Sequence, residues 1–266
     1  MFPDDTQDPK QAGGAQLLEA VCPGDVVAGK DIECKASCPK DSGFPGQDWT
    51  LERVLQGHFR SPTSDDAVLA MSGCEAHSEN FGGTILLTRQ SAKWTMLWYK
   101  GGVPTAGCHR VTLQDKREIL ICLSGEYGGQ GYVSRDLYVE DLLTPKEALM
   151  ADSETAFFSS FDDTGTCGHD FENPLKPFPI TLGFIDRVQF NNAVDGTLRG
   201  LTVFGRYGER PMTLAQAQAC IDEYNPTKPH HGLSFRPPTR PYRVDFKFDG
   251  KQMVRAGGSP GAPKSE

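Results

Sequence analysis

The sequence predicts an all-β fold. Antiparallel strands would form a propeller-like or sandwich arrangement of about three blade-like repeats, with one short inserted helix. Three observations carry that reading. Short runs of β-branched, aromatic and aliphatic residues recur along the chain, separated by Gly-Gly pairs and polar turns. With 29 glycines and 19 prolines in 266 residues, turn formers suffice for many short elements. The order strand, GG turn, strand, aromatic strand recurs at a spacing of about 50 residues, near the length of a propeller blade.

Residues 1–48 read as a disordered start and a Cys-bearing loop region. Positions 1–15 have little to bury, and Ala15–Val21 offers one or two helical turns before Pro23 stops them. Residues 22–48 hold three cysteines and little periodicity, as in a stapled loop. Residues 49–255 read as a single β-repeat domain, in units of about 49–106, 107–178 and 179–255. The first unit runs from Trp49–Leu55 through Asp66–Met71 and Thr84–Arg89 to Trp94–Tyr99, with Trp94 placed where a repeat would bury its anchor. The second holds Val111–Leu113, Arg117–Leu123, Gly131–Leu142 and Ala156–Phe161, with a short helix at Pro145–Met150 capped by Thr144. The third holds Ile180–Phe190, Leu201–Arg206 and Val244–Phe248, interrupted by a helix at Met212–Tyr224 with Thr213 as N-cap and Asn225-Pro226 as its stop. Asp249-Gly250 between two alternating runs predicts a hairpin with a type I′ turn. Residues 256–266 read as a flexible tail.

Charge and cysteine usage bound the setting. There are 27 basic and 35 acidic side chains, a net charge of −8. That argues against nucleic acid, which asks for a basic face, and against adsorption to anionic membranes. No run approaches the ~18 apolar residues of a membrane helix. Eight cysteines (Cys22, Cys34, Cys38, Cys74, Cys108, Cys122, Cys167 and Cys220) form no CxxC pair and lack zinc-module spacing. They are therefore disulfide candidates, and they point to an extracytoplasmic setting: periplasm, cell surface or exterior. After Met1 the residues FPDDTQDPK show neither a basic n-region nor an apolar h-region. The acidic stretch Phe2–Gly14 would suit a tether following a removed signal or a lipid anchor.

The stretch Gly57–Leu69 (GHFRSPTSDDAVL) resembles the FG-GAP or VCBS repeat, at Gly57, Phe59, Asp65, Asp66 and Val68. That resemblance implies β-propeller blades on extracellular or surface proteins, with an acidic loop that often holds calcium. His58, Arg60 and Pro62 stand where the ion's oxygen ligands would be, so no metal and no cofactor is expected. Three units are too few for a closed single-chain propeller. An open, sandwich-like arrangement or closure through an oligomer remains.

Cys74–Asn80 (CEAHSEN) is the densest polar cluster. On a strand, Glu75, His77 and Glu79 would share a face able to hold a metal or supply acid–base groups. Its competing reading is a solvated loop behind a bridged Cys74. Asp162-Asp163-Thr164-Gly165 is similar to the DTG turn of aspartic proteases, but the triplet occurs once, which favours a polar turn anchored by Cys167. Cys108 and His109 would point to opposite faces of a strand, so a bridge from Cys108 to Cys122 is simpler than a thiol–imidazole pair. His230-His231 lies in a Pro/Gly-rich loop. The sequence offers no GxSxG elbow between a strand and a helix, no GxxxxGK followed by Ser or Thr, no GxGxxG and no HExxH. Aromatic residues such as Trp98, Tyr99, Tyr127 and Tyr132 either pack the sheets or offer a surface to carbohydrate or a partner protein. Two functions follow: an exported or cell-surface binding or structural module without catalysis, or a cell-envelope hydrolase using Glu75, His77 and Glu79 with Asp162 or Asp163.

Overall fold

The computed structural model describes residues 1–35, 38–39, 46–74, 83–101, 105–124, 127–129, 131–143, 156–169, 176–225, 227, 234–259 and 262. Antiparallel strands dominate, and they form two sheets. The first is a meander in chain order: β1 (Val26–Ala28), β2 (Ile32–Cys34), β3 (Trp49–Gly57), β4 (Asp66–Gly73), β5 (Gly83–Gln90) and β6 (Lys93–Gly101). The second contains β7 (Thr105–Thr112), β8 (Glu118–Ser124), β9 (Tyr127–Gly129), β10 (Tyr132–Glu140), β11 (Ala156–Asp162), β12 (Ile180–Asn192), β13 (Leu198–Arg210), β14 (Arg240–Phe248) and β15 (Met253–Gly258). Its order is β15-β14-β13-β12-β11-β10-β8-β7, with β9 added to β10.

Side-chain alternation turns these two sheets into three β layers. On β4, Ala67, Leu69 and Met71 enter one core with Trp49, Ile85 and Leu87, beneath Leu17 and Leu18 of α1 (Gly14–Leu18). The opposite face gives Val68, Leu86 and Leu55 to a second core shared with Leu120, Cys122 and Tyr138. Strand β8 is buried on both sides for the same reason. Its Leu120 and Cys122 meet the first sheet, while Ile119, Ile121 and Leu123 meet Val203, Val244 and Phe246. Each such Leu or Ile side chain contributes about 1.5–3 kcal/mol by leaving water.

The second sheet folds over on itself, because β11 and β12 pair only at Asp162↔Leu182. Beyond that point β12 diverges, and its inner face packs against β8, β10 and β11 in one cluster. The architecture is thus a layered antiparallel sandwich and not a closed propeller. The second and third sequence units do not make separate blades; their strands share one sheet.

Other differences have local causes. Residues 1–13 are not a free lead: Asp5 N–H donates to Cys108 O at 2.8 Å on β7, Gln7 pairs with Val54 on β3, and Phe2 meets Phe190 edge-on. Their acids take edge N–H groups of β7: the Asp4 carboxylate accepts from Cys108 at 3.2 Å, and the Asp5 carboxylate from Arg110 at 2.8 Å. The Cys-bearing region supplies β1 and β2, which extend the first sheet through Glu33↔Thr50 and Cys34↔Trp49. Trp49, not Trp94, is the fully buried tryptophan of the first unit; Trp94 is half-buried beside Arg89. At the last hairpin the positive φ falls on Gly250 (103°) and not on Asp249, so the turn is not type I′. Asp249 instead flanks the turn, where its carboxylate accepts from Lys251 and Gln252 N–H, both at 2.9 Å. β15 reaches Gly258, so the first three residues of the expected tail, 256–258, belong to a strand. Helix α2 (Leu214–Tyr224) starts at the foreseen cap: Thr213 and Gln216 form a reciprocal capping box.

All eight cysteines are bridged, as Cys22–Cys34, Cys38–Cys74, Cys108–Cys122 and Cys167–Cys220. Cys108 and Cys122 sit directly opposite on β7 and β8. Cys167–Cys220 ties α2 to the 3₁₀ turn Thr164–Thr166. The four bridges point to an extracellular or secreted protein. Among the described residues, no helix is long and apolar enough to cross a membrane.

Candidate functional site

Three hairpin turns meet at one end of the sandwich: residues 113–117 between β7 and β8, 193–197 between β12 and β13, and 249–252 between β14 and β15. Each contains an aspartate that accepts an N–H two residues on. Asp115 takes Arg117 N–H at 3.1 Å, Asp195 takes Thr197 N–H at 3.0 Å, and Asp249 takes Lys251 N–H at 2.9 Å. The first turn is held in an unusual conformation at Lys116, whose φ is +69°. A parallel bridge from Thr112 to Thr197 fixes the first turn against the second, and Lys116 Nζ lies 3.6 Å from Asp195.

Between these turns is a cleft of about 380 Å³. Leu113, Leu198 and Phe248 give it apolar walls; Gln114, Asp115, Arg117, Thr197 and Asp249 give it polar ones. Arg117 is the structural centre. Its terminal nitrogens hold Asp141 at 2.6 and 2.8 Å, and Nη1 also reaches Phe59 O at 3.4 Å. The guanidinium charge is therefore neutralised from behind. Arg117 Nε is buried and makes no hydrogen bond; the nearest carboxylate, Asp115 on the cleft wall, is 3.6 Å away. The Thr197 hydroxyl is likewise buried. Hydrogen bonding from the Thr197 side chain and N–H holds the Asp195 carboxyl below the usual carboxylate range. Unpaired buried polar atoms cost roughly 1–3 kcal/mol each.

The residues singled out in the sequence are elsewhere. Glu75, His77 and Glu79 lie outside the described residues, as do His230, His231 and the helix expected at Pro145–Met150. Asp162 and Asp163 are both engaged in local structure. The Asp162 carboxylate accepts the Thr164 N–H at 2.9 Å and its hydroxyl at the start of the 3₁₀ turn. Asp163 accepts the Thr181 N–H, and burial pushes its carboxyl up, against that hydrogen bond and with help from the Asp162 charge. Asp162 also borders a second cleft of about 220 Å³ with Ser134, Arg135, Ser160 and Asp186, where β12 parts from β11. His109 faces away from the Cys108 bridge, with Nδ1 2.9 Å from Asp5 and its ring 4.3 Å from that of Phe190. Among the described residues, no group of three His, Cys, Asp or Glu side chains is placed to hold a metal ion.

The loop at Gly57–Asp66 is built around a charge of its own. Asp66, fully buried, accepts from Arg60 N–H and Nε at 3.0 Å each and from the Ser64 hydroxyl. Arg60 also donates to Thr88. Burial would raise the Asp66 carboxyl, but Ser64 and Arg60 outweigh it and hold it low. The loop is pinned to β8 as well, through Glu118, which accepts His58 N–H at 2.7 Å and donates its own N–H to His58 O at 3.0 Å.

None of the cleft residues stood out in the sequence. Gln114–Lys116 fell between two expected strands, and Asp249-Gly250 read as a hairpin turn. The usable signal was an aspartate at each turn; their convergence needed the third dimension. Comparison of the chain with protein-family models, with curated proteins and with solved structures returns no match.

Proposed function

We propose that this protein is an extracytoplasmic binding module without catalysis, and that the loop-end cleft is its ligand site. The observation that carries the reading is the convergence of three aspartate-bearing turns around a cleft of about 380 Å³ with both apolar and polar walls. A rigid sandwich that presents its turns at one end is a common support for recognition. The adjoining turn also holds out Val194, fully exposed at its tip, as an apolar contact beside the cleft. Four disulfides suit a module that works outside the cytoplasm, at the cell surface or in the periplasm. The engagement of Asp162 and Asp163 in turn geometry favours binding over hydrolysis.

The test is an NMR screen of the intact, oxidised protein against a chemically broad mixture of small polar fragments. Saturable shifts confined to the amides of 113–117, 193–198 and 248–251, and abolished by Gln114→Trp, are expected. Shifts scattered over the surface, or none at the cleft, would overturn the reading.

A further inference from the structure

We infer that the outer face of β12–β14 binds an acidic polysaccharide; the inference does not rest on the cleft. The charge of this chain is unevenly spread. Residues 180–210 and 240–258, which hold β12–β15, carry 9 basic and 5 acidic side chains, a charge of +4 within a total of −8. Alternation along the strands sends Val188, Val203 and Val244 into the core and leaves Arg187, Arg206, Arg243 and Lys247 exposed on the other side. The acids of the first sheet lie two layers away, roughly 20 Å, and salt screens exposed charges beyond about 8 Å. An anion at this face therefore meets the local cations and not the net charge.

The face is preorganised for oxyanions. Arg187 on β12 stands opposite Phe204 on β13, with its guanidinium 4.2 Å over the ring; Arg206 stands opposite Phe184, 4.8 Å over its ring. Arg243 on β14 flanks Phe204 from the other side. A ring beneath it holds a guanidinium in place while its N–H groups stay available to an oxyanion. Asp186 and Asp245, the acids of the face, are already engaged: Asp186 by Arg206 at 3.0 Å, and Asp245 by Arg243 at 2.9 Å and by the Thr202 hydroxyl at 2.7 Å. Arg187 and Lys247 have no ion pair among the described residues. A single exposed ion pair contributes little, so cations in open rows across three strands suit a polymer that meets several of them at once. A protein partner would ask for apolar anchors, and none of the exposed large apolar side chains among the described residues lies on β12–β14. Phe184 and Phe204 are half-buried beside their arginines. The four disulfides point outside the cytoplasm, where the acidic polymer at hand is a glycan rather than a nucleic acid.

The experiment measures binding of the whole oxidised protein to heparin and to polygalacturonate over a series of salt concentrations, with NMR to map the contact. Dextran is the neutral comparison; polyglutamate and a DNA duplex are the other anions. Saturable binding of one or both acidic polysaccharides is expected, weakening as salt rises, with amide shifts at Arg187, Phe204 and Arg243. Which of the two binds distinguishes a sulfate ester from a carboxylate. Arg187→Gln and Lys247→Gln should each weaken binding about two- to five-fold and lower the slope of log affinity against log salt by about one. Neither side chain is in an ion pair, so both variants should melt close to the wild type. Lys30→Gln, at an exposed lysine beside the first sheet, should change neither affinity nor slope. Failure of both acidic polysaccharides to bind overturns the inference, as does equal or tighter binding of dextran, polyglutamate or DNA, or a wild-type salt slope in both variants. Shifts confined to 113–117, 193–198 and 248–251 would overturn it and leave the cleft reading standing.

Discussion

Arg117, on the wall of the cleft, grips Asp141 with both terminal nitrogens, at 2.6 and 2.8 Å. The pair also ties β8 to the residue that follows β10, and through Phe59 O to the 57–66 loop of the first sheet. One side chain therefore serves packing and presentation together.

Arg117→Lys should separate the two roles. Lysine keeps the charge but cannot form the two-pronged contact. A loss of about 1–3 kcal/mol is expected in urea melts, the scale of a charged hydrogen bond at a partly exposed carboxylate. Wild-type stability in this variant would mean that the Asp141 contact is incidental.

Glu140 should make stability fall as pH rises. It is 2 % exposed, burial pushes its carboxyl up to about 8, and nearby Lys100 only partly opposes that. The folded state therefore holds the proton more tightly than the unfolded chain. Its contribution is fully present below the ordinary glutamate value of 4.5 and is lost progressively between there and about 8, by up to ~1.4 kcal/mol per pH unit. Glu140→Gln should flatten that part of the profile. A profile unchanged by the substitution would refute the assignment.

Asp66 has the opposite sign. Its carboxyl is held low by Ser64 and Arg60 against the cost of burial, so its contribution is present above the usual aspartate range and vanishes as pH falls through the lowered value. Asp66→Asn should destabilise at neutral pH and remove that acid-side loss. Calcium should not shift the melting temperature of the wild type, because the Arg60 guanidinium already sits on Asp66 at 3.0 Å. A calcium-dependent rise would show that the ion displaces it.

The disulfides should differ in worth according to the loop each closes. Cys167–Cys220 spans 53 residues and Cys108–Cys122 spans 14. Chain entropy then gives about 4 kcal/mol for the former and about 3 for the latter. Paired Cys→Ser variants compared in urea melts test the order, and peptide mapping of the non-reduced protein tests the connectivity. Equal losses would mean that α2 is held by its packing rather than by its tether.

Much of the strand content was legible because side-chain alternation is a local property. Asp66–Met71, Thr84–Arg89, Arg117–Leu123 and Ala156–Phe161 each lie within an observed strand or one residue beyond it. The helix at Met212–Tyr224 was equally readable, since Thr213, Gln216 and Asn225-Pro226 mark its ends within a few residues of one another. Less was legible in residues 1–13, whose order depends on edge groups of β7 and β12 more than 50 positions away along the chain. The cleft was not legible at all.

By itself the sequence determined the antiparallel β class, the turns and the helix cap, and it marked Cys108 and Cys122 as partners. Those features depend on neighbours a few residues apart or on one strand pair. Only the tertiary structure decided that the second and third units share a folded sheet rather than forming blades. It alone brought Asp115, Thr197 and Asp249 to one end, and it paired Arg117 with Asp141. The physical reason is that burial and charge compensation depend on distances in space. A sequence read locally carries no record of which two faces will exclude water together.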